Sequence, residues 1–311
     1  MTQKIELPKD YNKVFHIGIN FFNEEQYEKA IAPLEEAYQM NQSYDIHRLL
    51  VICYMEVSNF THAKELFKEK YHDYVSNHEG RIIYIKLLQH THEFVTAHMF
   101  INDFKEIDQE LLEYLPLLQR DEEYLSSYHQ EEYVELAKQM KTLSEVSYLE
   151  QYQRIKRSLY LPVKQFIHCS LPLLTNPHVH IVIRSSLLEN LQRLHCKRRI
   201  SYLLFNGETV EVMPYELQGI LNSKSYVQLE AQIEIELDKQ PDMKAILLRE
   251  LPLIFSVIYP LPEHFIRNTR RFLQAMLYRY GMTAQKENTN LFKEDLHTLN
   301  QINRAQCQMY Q

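Results

Sequence analysis

A short pattern recurs three times in the first third of the chain at nearly constant spacing. Each copy has an aromatic residue, two residues of any type, an alanine, three residues of any type and a large apolar residue. The copies are Tyr27–Ala30–Leu34, Phe60–Ala63–Phe67 and Phe94–Ala97–Ile101. The alanines lie 33 residues apart in the first interval and 34 in the second. A period of this length predicts stacked repeats that bury their apolar sides against each other.

The first copy indicates how each repeat packs. Small residues at Gly18 and Ala30 allow two antiparallel helices to approach closely, and Leu34 fills the space beside them. In the second and third copies, Val51 and Ile85 take the position of the glycine. We therefore expect three helix pairs with a shared packing pattern.

These residues resemble the tetratricopeptide repeat (TPR). The resemblance rests on Ile17, Gly18, Phe21, Tyr27, Ala30, Leu34 and Ala37. The full chain also resembles an uncharacterised group of cytosolic TPR proteins of Gram-positive bacteria, through Pro177 to Pro214 and the Ile-Tyr-Pro at 258–260. That resemblance implies N-terminal repeats, then HEAT-like helical units with an inserted hairpin, and it implies no particular activity.

The second half of the chain has a different pattern. Apolar residues recur at helical spacing between prolines. Asn206-Gly207 joins two alternating runs, which predicts a β-hairpin with strands near 200–205 and 208–213. The expected class is all-α, a TPR-like α-α superhelix with a HEAT-like C-terminal part and one small hairpin.

We expect three regions along the chain. Residues 1–144 form a TPR-like repeat domain, and residues 145–286 form a helical domain with the hairpin near 199–213. Residues 287–311 form a C-terminal tail, for which one loosely attached helix is expected.

The composition argues against enzymes and metal proteins. Only 5 of 311 residues are glycine, and no phosphate loop, HExxH or CxxC motif is present. The cysteines are scattered without zinc-ligand spacing; they are Cys53, Cys169, Cys196 and Cys307. On a helix, His90 and His92 would point to different faces, and no cysteine or carboxylate lies close in sequence to His178 and His180. We expect no catalytic residue, no metal and no cofactor.

The sequence gives no sign of export or membrane insertion. The N-terminal segment MTQKIELPKD has no apolar core of a signal peptide. The most apolar stretch, 251–262, is too short to span a bilayer and contains prolines. We expect a cytoplasmic protein without a membrane partner.

The first helix of each repeat would line the concave surface of a solenoid. On the first such helix, we assign Val14, Ile17, Gly18 and Phe21 to packing within the repeat. The predicted partner-binding groove then consists of Asn12, Phe15, Ile19, Phe22, Asp45, Arg48, Ile52, Met55, Ile82 and Lys86. Exposed apolar residues on such a face favour a protein partner that presents a peptide or a helix.

Two observations bear on this groove prediction. TPR proteins that clamp a C-terminal carboxylate use Lys and Asn where this chain has Phe15 and Ile19, so that binding mode is not expected. The chain could also cover the groove itself, with Ile5 and Leu7 of its N-terminal arm or with its C-terminal tail.

An alternative interpretation follows from the uneven charge. Residues 1–150 hold 27 acidic and 14 basic residues, whereas residues 151–311 hold 14 and 20. The basic residues of interest are Arg193, Lys197, Arg198, Arg199, Arg267, Arg270, Arg271 and Arg279. They predict association with the ribosome or with nucleic acid. The alternative is that these side chains only contact solvent or dock against the acidic first half of the chain. A purely structural role through self-association also remains open.

Overall fold

The computed structural model describes residues 11–282 and 292–307. Within these residues it contains 17 α-helices and one two-stranded antiparallel sheet. The predicted all-α class with one small β-hairpin is therefore confirmed. The internal contacts divide the chain into two compact units, Met1–Asp121 and Glu122–Gln311. The predicted domain border at 144 rests on sequence pattern instead of packing, and it stays a prediction.

Short helices follow one another through the first unit. They are α1 (Tyr11–Asn23), α2 (Tyr27–Met40), α3 (Tyr44–Glu56), α4 (Phe60–Glu69), α5 (Tyr71–Val75), α6 (His78–His90), α7 (Phe94–Phe104) and the start of α8 (Tyr114–Tyr128). Helices α1 and α2, α3 and α4, and α6 and α7 pack as three successive hairpins, and α2 also packs against α3. The three predicted helix pairs are these hairpins.

The three hairpins share one loop conformation. Each loop has a residue with positive φ, namely Glu25 at 58°, Ser58 at 60° and His92 at 58°. The next amide in each loop donates to a carbonyl five residues earlier, over 2.9, 2.8 and 2.8 Å. This bond closes a helix C-terminus when the residue before the donor is left-handed. The sequence period therefore extends to the backbone geometry of the loops.

The alanines of the repeat belong to the buried core. Ala30, Ala63 and Ala97 are completely buried. A Cβ atom added at Gly18 would lie 2.7 Å from Leu34 Cδ2, and Leu34 is also completely buried. The predicted close approach of α1 and α2 at Gly18 is therefore present, and Leu34 has little room to move away.

Replacing Gly18 by alanine should destabilise the protein. We expect a loss of about 1–3 kcal/mol in the free energy of unfolding, because the new methyl group overpacks a filled interface. Urea denaturation followed by circular dichroism measures this loss. Gly219→Ala is the matched control, because its Cβ would meet no atom closer than 3.4 Å.

A double-mutant cycle locates the clash. In a Leu34→Ala background, Gly18→Ala should cost much less than it does alone, since the crowding atoms have been removed. Equal costs in the two backgrounds would show that α1 and α2 do not meet as described.

A buried ion cluster holds α6 against the segment that follows α7. Asp108 is buried and accepts hydrogen bonds from Arg81 Nε at 2.7 Å and from His78 Nδ1 at 2.9 Å. Burial alone would raise the pKa of Asp108, but the bonds from His78 and Arg81 outweigh it and hold this pKa below 3.8. The bond to Asp108 raises the pKa of His78 above 6.5.

Removing the Asp108 carboxylate should reduce stability in a pH-dependent way. Its stabilising charge is present above pH 3.8 and is lost as the pH falls through its lowered pKa. The His78 contribution is present below pH 6.5 and is lost as the pH rises through its raised pKa. Asp108→Asn should therefore cost most between these pH values, about 3 kcal/mol, chiefly through the stranded Arg81.

Urea denaturation at several pH values tests this dependence. Glu110→Gln is the control, because Glu110 contacts the other nitrogen of His78 at 3.1 Å but is 77% exposed. It should change stability little at any pH. A cost of Asp108→Asn that is the same at pH 5 and pH 9 would contradict the proposed role of His78.

The second unit combines helices with the single β-hairpin of the described residues. Its elements are α9 (Gln130–Lys141), α10 (Tyr148–Ser158), α11 (Val163–Ser170), α12 (Ile181–Arg193), β1 (Ile200–Leu203), β2 (Thr209–Val212), α13 (Lys224–Glu236), α14 (Pro241–Ile258), α15 (Pro262–Phe265), α16 (Thr269–Arg279) and α17 (Lys293–Cys307). The strands pair with Ile200 opposite Val212 and Leu203 opposite Thr209. Gly207, at a φ of 88°, closes the turn that the sequence predicts.

The C-terminal helix is firmly packed, contrary to the loose attachment expected from sequence. Helix α17 contacts α12, α14 and α16. Its Leu299 and Ile302 are completely buried. The apolar face of α17 is thus occupied within the second unit. The N-terminal residues Ile5 and Leu7 lie outside the described residues.

Candidate functional site

The predicted groove residues occupy equivalent positions in the three hairpins. The 33- and 34-residue intervals relate Phe15 to Arg48 and Ile82, Ile19 to Ile52 and Lys86, and Phe22 to Met55 and Gln89. All nine lie on α1, α3 or α6, the first helix of each hairpin. The same intervals relate Asn12 to Asp45 and Glu79. We call these twelve residues together the first-helix face.

Part of this face is used to stabilise the fold. Phe15, Phe22 and Met55 are half-buried and pack against the core of the first two hairpins. The Phe15 ring stacks on Tyr11 at 5.6 Å, and the Phe22 ring meets Tyr27 edge-on at 5.5 Å. These three side chains are therefore less available than the sequence suggests, because they fill gaps beside the buried residues.

Two isoleucines form the more available apolar part. Ile19 and Ile52 are half-buried and do not belong to the side chains that pack against this core. They occupy the same position on α1 and α3, so the repeat places them in one row. Ile82 on α6 is also half-buried. An apolar partner would gain most contact with this row.

Polar side chains link neighbouring helices across the face. Arg48 on α3 donates to the Glu79 carboxylate on α6, and Gln89 on α6 donates to the Asp121 carboxylate on α8. Sequence reasoning missed Glu79, although the period places it in register with Asn12 and Asp45. It missed Asp121 because the pattern fades after the third hairpin.

The charges of the face are mixed. Asn12, Asp45, Glu79 and Lys86 are exposed. The neighbouring His47 is completely buried, and burial lowers the pKa of its imidazole, so that it carries no charge at neutral pH. The face has no dominant charge with which to attract a strongly charged ligand.

One packing assignment from the sequence is wrong. Ile17, which was assigned to packing within the repeat, is 40% exposed. Its equivalent in the second hairpin, Leu50, is 1% exposed and belongs to a core shared with α2 residues such as Leu34. Among the described residues, no helix precedes α1 to cover Ile17 in the same way.

The predicted basic residues do not share one environment. Arg271 contacts Asp295 at 3.2 Å, Arg279 contacts Glu250 at 2.8 Å, and Arg193 on α12 is half-buried. Five others are exposed, namely Lys197, Arg198, Arg199, Arg267 and Arg270.

These exposed basic residues lie near opposite ends of the β-hairpin. Lys197–Arg199 precede β1, and the Lys197 ammonium lies 5.2 Å from the Tyr215 ring. Arg267 follows Phe265, which contacts Phe205 beyond the other end of β1 at 4.9 Å. A role of these residues in nucleic-acid binding stays a prediction.

Comparisons with models of protein families, with curated proteins and with solved structures found no match to this chain. The TPR resemblance therefore rests on the sequence pattern, and it stays a prediction. None of the helices in residues 11–282 and 292–307 combines the length and apolar character required to cross a membrane. The same residues contain no cluster of three His, Cys, Asp or Glu side chains able to hold a metal ion.

Proposed function

We propose that the first-helix face binds a peptide or a helix from a partner protein, and that the chain is a non-catalytic adaptor or scaffold. The row of Ile19 and Ile52 carries this proposal, because equivalent half-buried apolar side chains recur on adjacent hairpins, outside the set that packs against their core. Apolar anchors at regular intervals suit an extended peptide or an amphipathic helix.

The proposal extends to the family and the location that the sequence suggests. The three helical hairpins at intervals of 33 and 34 residues support a TPR-type repeat, and TPR-type repeats serve as protein-binding surfaces in the family that the sequence resembles. We place the protein in the cytoplasm of a bacterium, as the same resemblance implies.

Selection from a displayed peptide library tests this function directly. The wild-type chain should enrich peptides with spaced apolar residues. Ile19→Gln/Ile52→Gln should lose these peptides, because the two amides remove the apolar anchors and leave the buried core intact. Fluorescence titration of one enriched peptide should show at least about a tenfold loss of affinity, the effect of roughly 1.4 kcal/mol.

The matched control is Ile17→Gln/Ile107→Gln. These isoleucines are 40% and 72% exposed in the same unit but lie outside the first-helix face. This variant should retain the enriched peptides. If both double variants bind them equally well, or if no peptide is enriched, the proposed function is wrong.

A second candidate function is association with RNA or DNA through the second unit. The three consecutive exposed basic residues Lys197, Arg198 and Arg199 favour it. Binding of this kind would weaken steeply with salt, whereas apolar peptide contacts would not. Retention on immobilised RNA at low salt that is lost in Lys197→Gln/Arg198→Gln/Arg199→Gln would support this candidate.

A further inference from the structure

The second unit contains a cleft that the proposed function does not use. Its volume is about 720 Å³, within the range of small-molecule sites. It lies at the N-terminal end of α12, and its walls include Ser147, Tyr148, His180, Arg184, Phe205 and Ala305. We call it the α12 cleft.

A buried cation without an acidic partner lines this cleft. Arg184 is 5% exposed and forms no ion pair with any described acidic side chain. One terminal nitrogen donates to the carbonyls of Asn176 at 2.9 Å and Val179 at 2.7 Å. Its Nε–H is buried and makes no hydrogen bond of good geometry, and the one described side chain that interacts with the guanidinium is the neutral phenol of Tyr202. Buried arginines are ordinarily paired, because an uncompensated charge is costly away from water.

The residue that caps α12, His180, also lines this cleft. Its Nδ1 accepts a hydrogen bond from the Val182 amide at 3.2 Å, so the ring proton lies on Nε2. Nε2 is buried, and its polar contact is a weak hydrogen bond to the Ala305 carbonyl. Burial lowers the pKa of His180 to about 4, against a small opposing effect of the Ala305 carbonyl. The ring is therefore a neutral donor at pH 7.

The positive charge at this end of the α12 cleft would be balanced by a ligand with one negative charge. Arg184 supplies one positive charge, His180 supplies none, and the N-terminal end of α12 adds a partial positive charge. Glu145, the acidic residue of the lining, is exposed and screened by water. A doubly charged phosphate would leave an excess negative charge beside the buried Arg184, whereas a carboxylate would balance its single positive charge.

We propose that the α12 cleft binds a small organic molecule with one carboxylate group, which lies beside Arg184 at the N-terminal end of α12. The side chains of Ile181, Leu203 and Phe205 also line the cleft and would contact the rest of the ligand. This site is independent of the first-helix face.

Titration calorimetry of the full chain with benzoate and with benzamide tests the proposal. The two probes share size and shape and differ in charge. Benzoate should bind saturably and about tenfold more tightly than benzamide, because a hydrogen bond to a charged group is stronger than one to a neutral group. Inorganic phosphate at equal ionic strength should not displace it.

Two variants place the binding in the α12 cleft. Arg184→Met should abolish benzoate binding, and circular dichroism shows whether it folds. Ser147→Asp keeps a side chain able to cap α10 but adds a negative charge to the cleft wall, so it should weaken benzoate roughly fivefold. Ser43→Asp makes the same change at the cap of α3, outside the cleft, and should have no effect.

Three results would overturn the proposal. Benzamide could bind as well as benzoate, phosphate could displace benzoate, or Ser147→Asp could bind benzoate as Ser43→Asp does. If Arg184→Met does not fold, the two serine variants alone decide. None of these results would bear on peptide binding by the first-helix face.

Discussion

Close contact between paired helices is the constraint that determines the structure of the first unit. Two antiparallel helices approach closely only where a small side chain lies between them, and Ala30, Ala63 and Ala97, the small residues of the repeat, are completely buried. Because the contact recurs every 33 or 34 residues, each hairpin repeats the geometry of the last, including its left-handed loop residue. The same repetition places Ile19 and Ile52 in register, and the candidate site is a by-product of this packing.

The sequence predicted the parts of the fold that local chemistry determines. The buried alanines, the close approach at Gly18 and the turn at Gly207 each depend on a residue whose size or backbone freedom leaves few alternatives. It did not predict the packing of α17, because a polar helix with a narrow apolar stripe gives no sign of which surface will cover that stripe. The hairpin loops were also missed, because Glu25, Ser58 and His92 adopt positive φ where glycine would ordinarily be expected.

The candidate sites, like the fold, could be predicted from the sequence only in part. The positions of the first-helix face could be predicted from the period, but their exposure could not, since it depends on the neighbours of each side chain. Ile17 is exposed where Leu50 is buried, although the two are equivalent in sequence. The donors of the α12 cleft were beyond sequence reasoning, which considered His180 only as a metal ligand. An arginine on a helix is ordinarily exposed, and only the folded structure shows Arg184 buried without an acid.

Amide hydrogen exchange of the full chain, measured by NMR, tests most directly whether three equivalent hairpins form. The amides of Gln26, Asn59 and Glu93 each donate to a carbonyl five residues earlier. They should exchange at least about a thousandfold more slowly than in an unstructured peptide, as expected for bonds that open at a cost of about 4 kcal/mol. Exchange at the unstructured rate in any one of the three loops would contradict the repeated packing described here.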